Sequence, residues 1–224
     1  MPKRLFWSIV VMTLLLTGNV PAIDHLSALL DGIKKRYAGQ PGLTIPYERE
    51  IMTKTMSLLG GGVKRDVAGG KIHFKPPRFL RIEQADPRIE SIITDGNTLW
   101  WYIPDNNEVY KYPSHILGKE LWLLSDIFQG LREVTDSFEI TETKSGPEGN
   151  SRLTLVPRPS WPDIDHITLE VDPGSFDIRS VEIVNILGDT TRFTLKPAIS
   201  NDRLGEDFFR FDPPQGTQII EETP

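Results

Sequence analysis

Residues 69–112, GGKIHFKPPRFLRIEQADPRIESIITDGNTLWWYIPDNNEVYKY, decide the fold. Ile72 and Phe74 alternate with His73 and Lys75, the pattern of a strand with one buried and one wet face. Pro76-Pro77 interrupts the run, since proline cannot donate to a ladder, and Phe79, Leu80 and Ile82 resume it as far as Asp86-Pro87. Ile89 to Thr94 reads as the next strand. Asp95-Gly96-Asn97 turns it, with glycine supplying the positive φ that a tight hairpin needs. Leu99, Trp100, Trp101, Tyr102 and Ile103 make a dense aromatic strand, and the turn at Pro104 to Asn107 returns the chain through Val109 to Tyr112. Consecutive strands joined by short turns predict an antiparallel meander.

Before it, Lys3-Arg4, an apolar run from Leu5 to Leu16 and Val20-Pro21-Ala22 have the layout of a secretory leader cleaved after Ala22. The apolar run is too short to span a membrane, which takes about 20 residues. Asp24 is placed to cap a helix in which Leu26, Leu29, Leu30, Ile33 and Tyr37 recur at helical spacing until Gly39 and Pro41 end it. Leu43 to Leu59 reads as a long, partly exposed strand, and Gly60-Gly61-Gly62 as a loop.

Beyond the meander the period changes. Leu117, Leu121, Leu124, Phe128 and Leu131 share one helical stripe, and Ile116, Trp122, Leu123 and Ile127 extend the apolar surface around the helix. That suits either ordinary two-sided packing or a cover over an apolar cavity. From Glu133 on, runs at 138–143, 153–156, 166–171, 178–186 and 190–195 are separated by turn residues, Ile167, Leu169 and Val171 alternating most clearly. The whole predicts a mainly β chain with helices (α+β): a single open antiparallel β-barrel domain of about eleven strands over residues 23–224, covered by an N-terminal helix and a helical lid.

Composition narrows the function. A formal charge of −6 becomes −8 once Lys3 and Arg4 leave with the leader, which argues against nucleic acid as a partner. No cysteine is present, so an exported fold must hold without disulfides, and no lipid can be attached by thioether at the cleavage site. His25, His73, His115 and His166 are scattered, no Gly-x-Ser-x-Gly elbow occurs, and Asp163, Asp165 and His166 fit a solvated loop better than a hydrolytic cluster. No cofactor or metal is expected.

Gly70, Pro77, Phe79, Asp95, Gly96, Leu99, Trp100 and Tyr102, with Phe209-x-Phe211-x-Pro213-Pro214-x-Gly216 at the far end, resemble the periplasmic outer-membrane lipoprotein carrier family of the LolA type. The resemblance implies a periplasmic monomer that holds the acyl chains of lipoproteins and takes them from an inner-membrane lipoprotein-releasing ABC transporter, with an outer-membrane receptor as a further candidate partner. On this basis Ile72, Phe74, Phe79, Leu99, Trp101, Ile116, Leu117, Leu121, Trp122, Leu124, Ile127 and Phe128 are the expected cavity and lid residues. The family carries an arginine before the proline of an Arg-Pro pair, and that arginine holds the lid shut. Here Pro76 stands in its place, and Arg78 is the candidate substitute, because strand residues two apart share a face. Carriage of another lipid, an envelope-signalling sensor of the same fold and a secreted hydrolase remain as alternatives; the sensor would need an anchor or further domain, the hydrolase a polar triad in the cavity.

Overall fold

The computed structural model describes residues 22–54, 66–113, 118–131, 134–145 and 149–221. The leader, the Gly60-Gly61-Gly62 loop, His115, Ile116 and Leu117 lie outside the described residues. Thirteen strands form one sheet: β1 Leu43–Met52, β2 Asp66–Lys75, β3 Phe79–Asp86, β4 Glu90–Thr94, β5 Thr98–Ile103, β6 Glu108–Pro113, β7 Phe138–Ser145, β8 Asn150–Pro157, β9 Ile164–Val171, β10 Ile178–Asn185, β11 Thr190–Leu195, β12 Ile199–Ser200 and β13 Gln218–Glu221. Among the described residues the α-helices are α1 Ala22–Tyr37, α2 Gly118–Phe128 and the short α3 Val134–Ser137.

The strand order is β13-β6-β5-β4-β3-β2-β1-β11-β10-β9-β8-β7, with β12 against β1, so the sheet is open and β7 and β13 are its ends. The expected meander is present as β2 to β6, each strand antiparallel to the next. Its hairpin at Asp95 follows from local chemistry. Gly96 has φ 95°, and the Asp95 carboxylate accepts the amides of Asn97 and Thr98 at 2.9 and 3.0 Å. A second meander, β7 to β11, joins the first through β1. The count exceeds eleven because β12 and β13 are strands of two and four residues, and β13 pairs parallel to β6, an exception in an otherwise antiparallel sheet.

Directly paired residues put their side chains on the same face, so the registers sort the sheet into two sides. One inner row runs Leu43, Phe74, Leu80, Thr94, Leu99 and Tyr112; the next runs Ile45, Ile72, Ile82, Ile92, Trp101 and Tyr110. Leu29, Ile33 and Tyr37 of α1 and Leu123, Leu124, Ile127 and Phe128 of α2 bury themselves in one cluster with Leu43, Phe74, Leu80, Ile45, Ile72 and Ile82 of these rows, and Ile92 packs against it. Helix α1 runs Ala22–Tyr37, so Asp24, the expected N-cap, falls within its first turn.

Directional bonds anchor α1. Arg36 donates through Nε to Asp177 Oδ1 at 2.9 Å and through Nη2 to the Ala198 carbonyl at 2.9 Å. The Ile178 amide donates to the Tyr37 hydroxyl oxygen at 3.0 Å. On the outer face, the C-terminal segment is strapped across the meander: Phe209 packs on Phe79 at 5.5 Å, Phe208 on His73 at 5.0 Å, and Phe211 on Trp100 and Tyr102 at 5.8 and 5.3 Å. Arg81 lies over the Phe208 ring and donates to its carbonyl at 3.0 Å.

Candidate functional site

The site forms where the ends of α1 and α2 meet over the inner face. Helix α2 stops in a Schellman turn: the Gly130 amide donates to the Ile127 carbonyl at 3.0 Å, the Leu131 amide to the Asp126 carbonyl at 2.8 Å, and Gly130 is left-handed at φ 83°. This turn sits against α1, so close that glycine alone fits, because a β-carbon at position 130 would lie 2.7 Å from the Lys34 Cα.

Beside this contact a cleft of about 360 Å³ opens, lined by Lys34, Tyr37, Ala38, Gly39, Pro76, Phe128 and Gln129. The Phe128 ring forms its deep wall, 5.9 Å from Phe74 and 6.5 Å from Tyr37. Burial pushes the Tyr37 phenol above its ordinary pKa, although the Ile178 amide bonded to its oxygen pulls the other way. The lining is therefore aromatic and uncharged toward the sheet, with Lys34 at the exposed rim. A larger hollow of about 450 Å³, between Asn150, Glu170, Asp172, Arg179 and Arg192, is charged and unsuited to apolar matter. It lies on the outer face, since Glu170, Ser180 and Thr194 are paired in register opposite to the inner row.

The residues expected from the sequence fall into three groups. Ile72, Phe74, Leu124, Ile127 and Phe128 come together in the buried cluster under the helices. Leu99 is buried on the same face, and Trp101 is half-buried there, its indole nitrogen donating to Glu90 Oε2 at 3.2 Å. Leu121 and Trp122 belong to α2, but their side chains lie outside the described residues, as Ile116 and Leu117 do entirely.

Phe79 is elsewhere. Its register partner is Lys75 and it shares the outer face with Arg81, so it packs under the C-terminal Phe209 instead of facing the cleft. Arg78 lies in the exposed turn between β2 and β3, where the strand rule that residues two apart share a face does not apply; its Cβ abuts Gly96 of the next hairpin. Periodicity had marked Leu123 as lying off the helical stripe, yet it is buried with Leu124.

His25 Nδ1 of α1 lies 2.9 Å from Glu142 Oε2 of β7, His166 Nδ1 lies 2.7 Å from Asp165 Oδ2 on the same strand β9, and His73 of β2 sits between Thr44 of β1 and Glu83 of β3, in three separate places. Among the described residues no group of three or more His, Cys, Asp or Glu is placed to hold a metal ion. No helix among them is long and apolar enough to cross a membrane.

The chain is similar to several known proteins. An outer-membrane lipoprotein carrier protein of Halorhodospira halophila is 31% identical over 206 residues, covering 88% of this chain and 93% of that one. The protein of the same description from Hahella chejuensis is 25% identical over 208 residues, covering 92% and 91%. The crystal structure of a LolA superfamily protein from Nitrosomonas europaea superposes with a TM-score of 0.45 at 11% identity, over 83% of this chain and 97% of that one. The family model described as outer membrane lipoprotein carrier protein LolA matches residues 57–212, well over half of the sequence, and the chain belongs to that family.

Proposed function

We propose that the protein is a non-enzymatic periplasmic carrier, exported by a leader cleaved after Ala22 and folded as one domain over residues 23–224, that holds the acyl chains of lipoproteins between the inner face of the sheet and α2. The observation that carries this reading is the way α2 is seated. Leu123, Leu124, Ile127 and Phe128 are buried against the sheet and α1, and their contacts are apolar. Burying four such side chains contributes roughly 6–12 kcal/mol, at about 1.5–3 kcal/mol each. Acyl chains offer the same non-directional contacts. A guest can therefore replace α2 on the sheet at little net cost, whereas α1, tied by Arg36 and Tyr37, stays in place.

The present cleft of about 360 Å³ is near the lower end of the roughly 300–1,000 Å³ that small-molecule sites occupy, so several acyl chains require α2 to move aside. Ile72, Phe74, Leu99, Trp101, Leu124, Ile127 and Phe128 are the proposed lining, with Ile116, Leu117, Leu121 and Trp122 completing the lid. The proposed donors and acceptors are an inner-membrane lipoprotein-releasing ABC transporter and an outer-membrane receptor, and the working form is a monomer.

Native mass spectrometry of the protein purified from an envelope fraction tests the reading. A co-purifying triacylated or diacylated polypeptide is the expected result. A protein that remains empty when offered solubilised lipoprotein, or that turns over an ester substrate, would overturn it.

A further inference from the structure

The inner face is not apolar along its whole length. Moving down the strands from the cleft, the rows through Leu43 and Ile45 are followed by one that reads Tyr47, Gly70, Gln84 and Glu90, and then by Arg49 opposite Ala68. Polar side chains thus replace aliphatic ones at corresponding positions of β1, β3 and β4. Arg49 also pairs in register with Phe193 of β11, which keeps it on the inner side. Its Nε is fully buried with no hydrogen-bond partner, in a fold where buried donors are nearly always satisfied. Glu90 closes the patch: one carboxylate oxygen accepts the Trp101 indole N–H, the other lies 3.5 Å from Arg88 Nη2, and its side chain is only 14% exposed. The Tyr47 phenol, raised mainly by burial, is lowered by the Arg49 charge and raised again by Glu90, so all three groups feel one another.

We propose that this patch is a headgroup subsite for the ester-linked acyl glyceryl end of the guest: Arg49 Nε donates to a carbonyl oxygen, while the tails lie along Ile45, Ile72 and Phe74 toward the cleft. This rests on the carrier reading and gives the guest a direction. An ester carbonyl fits better than a phosphate, because the Glu90 carboxylate stands inside the patch and repels an anion, while its partner Arg88 has a side chain 67% exposed and offsets that charge from the solvent side, where it is screened.

The test uses the mature chain and an uncharged fluorescent probe, 1-N-phenylnaphthylamine, displaced by 1,2-dioctanoylglycerol or by dodecane. Arg49→Met keeps the aliphatic stem and removes the donor. It should weaken displacement by dioctanoylglycerol about tenfold, the effect of one hydrogen bond to a charged group, and leave dodecane unchanged. Arg49→Lys, which keeps the charge but lacks the Nε donor, should lose most of the same preference. Equal losses for both competitors, no loss for either, or full rescue by lysine would overturn the subsite. So would tighter binding of dioctanoyl phosphatidic acid than of dioctanoylglycerol in the wild type, which would mark an anion site. If the wild type binds neither probe nor dodecane, the carrier reading itself falls, a result distinct from all of these.

Discussion

Gly130 and Lys34 bring the last turns of α2 and α1 into backbone contact, with no room for a β-carbon between them: one built on Gly130 would stand 2.7 Å from the Lys34 Cα. The same glycine is left-handed at φ 83°. Gly130→Ala therefore meets a conformational penalty of about 1–2 kcal/mol and an overlap that costs about 1–3 kcal/mol to relieve. Calorimetry should show the variant melting several degrees lower, at roughly 2–4 °C per kcal/mol for a chain of this size. An unchanged melting temperature would mean that the two helices do not meet here.

Arg36→Met should take the bonded guanidinium from the Asp177 carboxylate, whose side chain is 10% exposed and would keep the Ser175 hydroxyl at 3.1 Å and the more distant Arg179 charge. Because the Arg36 side chain is itself 27% exposed, the expected loss is about 2–3 kcal/mol, below the 3–5 kcal/mol typical of a fully buried pair. Asp177→Asn in the Arg36→Met background should recover part of it in urea unfolding. Additive losses would show that the two side chains act independently.

Two groups should make stability fall with acid, in separate windows. Burial holds His73 below its ordinary value of 6.5, with Glu83 partly opposing, so the unfolded chain takes up the proton first and stability declines as pH drops from 6.5 through the lower folded value. Asp172 is held at about 2 by the Arg179 hydrogen bond and the amides of Gly174 and Ser175. Its contribution is complete above the ordinary 3.8 and disappears as pH falls through about 2, and it is small because the group is exposed. In urea melts at several pH values, His73→Asn should remove the first decline, and Asp172→Asn should shrink the second, to which Asp189, also held low by the Lys54 amide and the Asn185 side chain, contributes. A decline of unchanged size in either variant would refute that assignment.

Much of this architecture can be read in the sequence. Asp95-Gly96 and Gly188-Asp189 mark hairpins because the backbone there needs glycine, at φ 95° and 85°. Ile167, Leu169 and Val171 mark a buried face because every second residue must be apolar to cover it. Which face looks inward is not legible. Phe79 and Phe74 read alike as strand aromatics, yet the three-residue turn at Pro76 to Arg78 fixes Phe79 on the outer side with Phe209. The Phe209-x-Phe211 segment reads as a signature, but its partners Phe79, Trp100 and Tyr102 are more than a hundred residues away in the chain. Arg49 reads as one charge in a half-wet strand. Only the pairing of Phe193 and Ala68 on either side turns it toward the interior.

Among the described residues the ladder runs from β13 to β7 without a hydrogen-bonded seam between those two strands. In a closed barrel, strand number and shear determine the radius. Here no such constraint sets the girth: a small change of twist shared among the strands draws the two free edges apart or together without breaking the ladder. On the carrier reading proposed above, the volume enclosed would follow the bulk of the passenger, and one chain would serve passengers of unequal size.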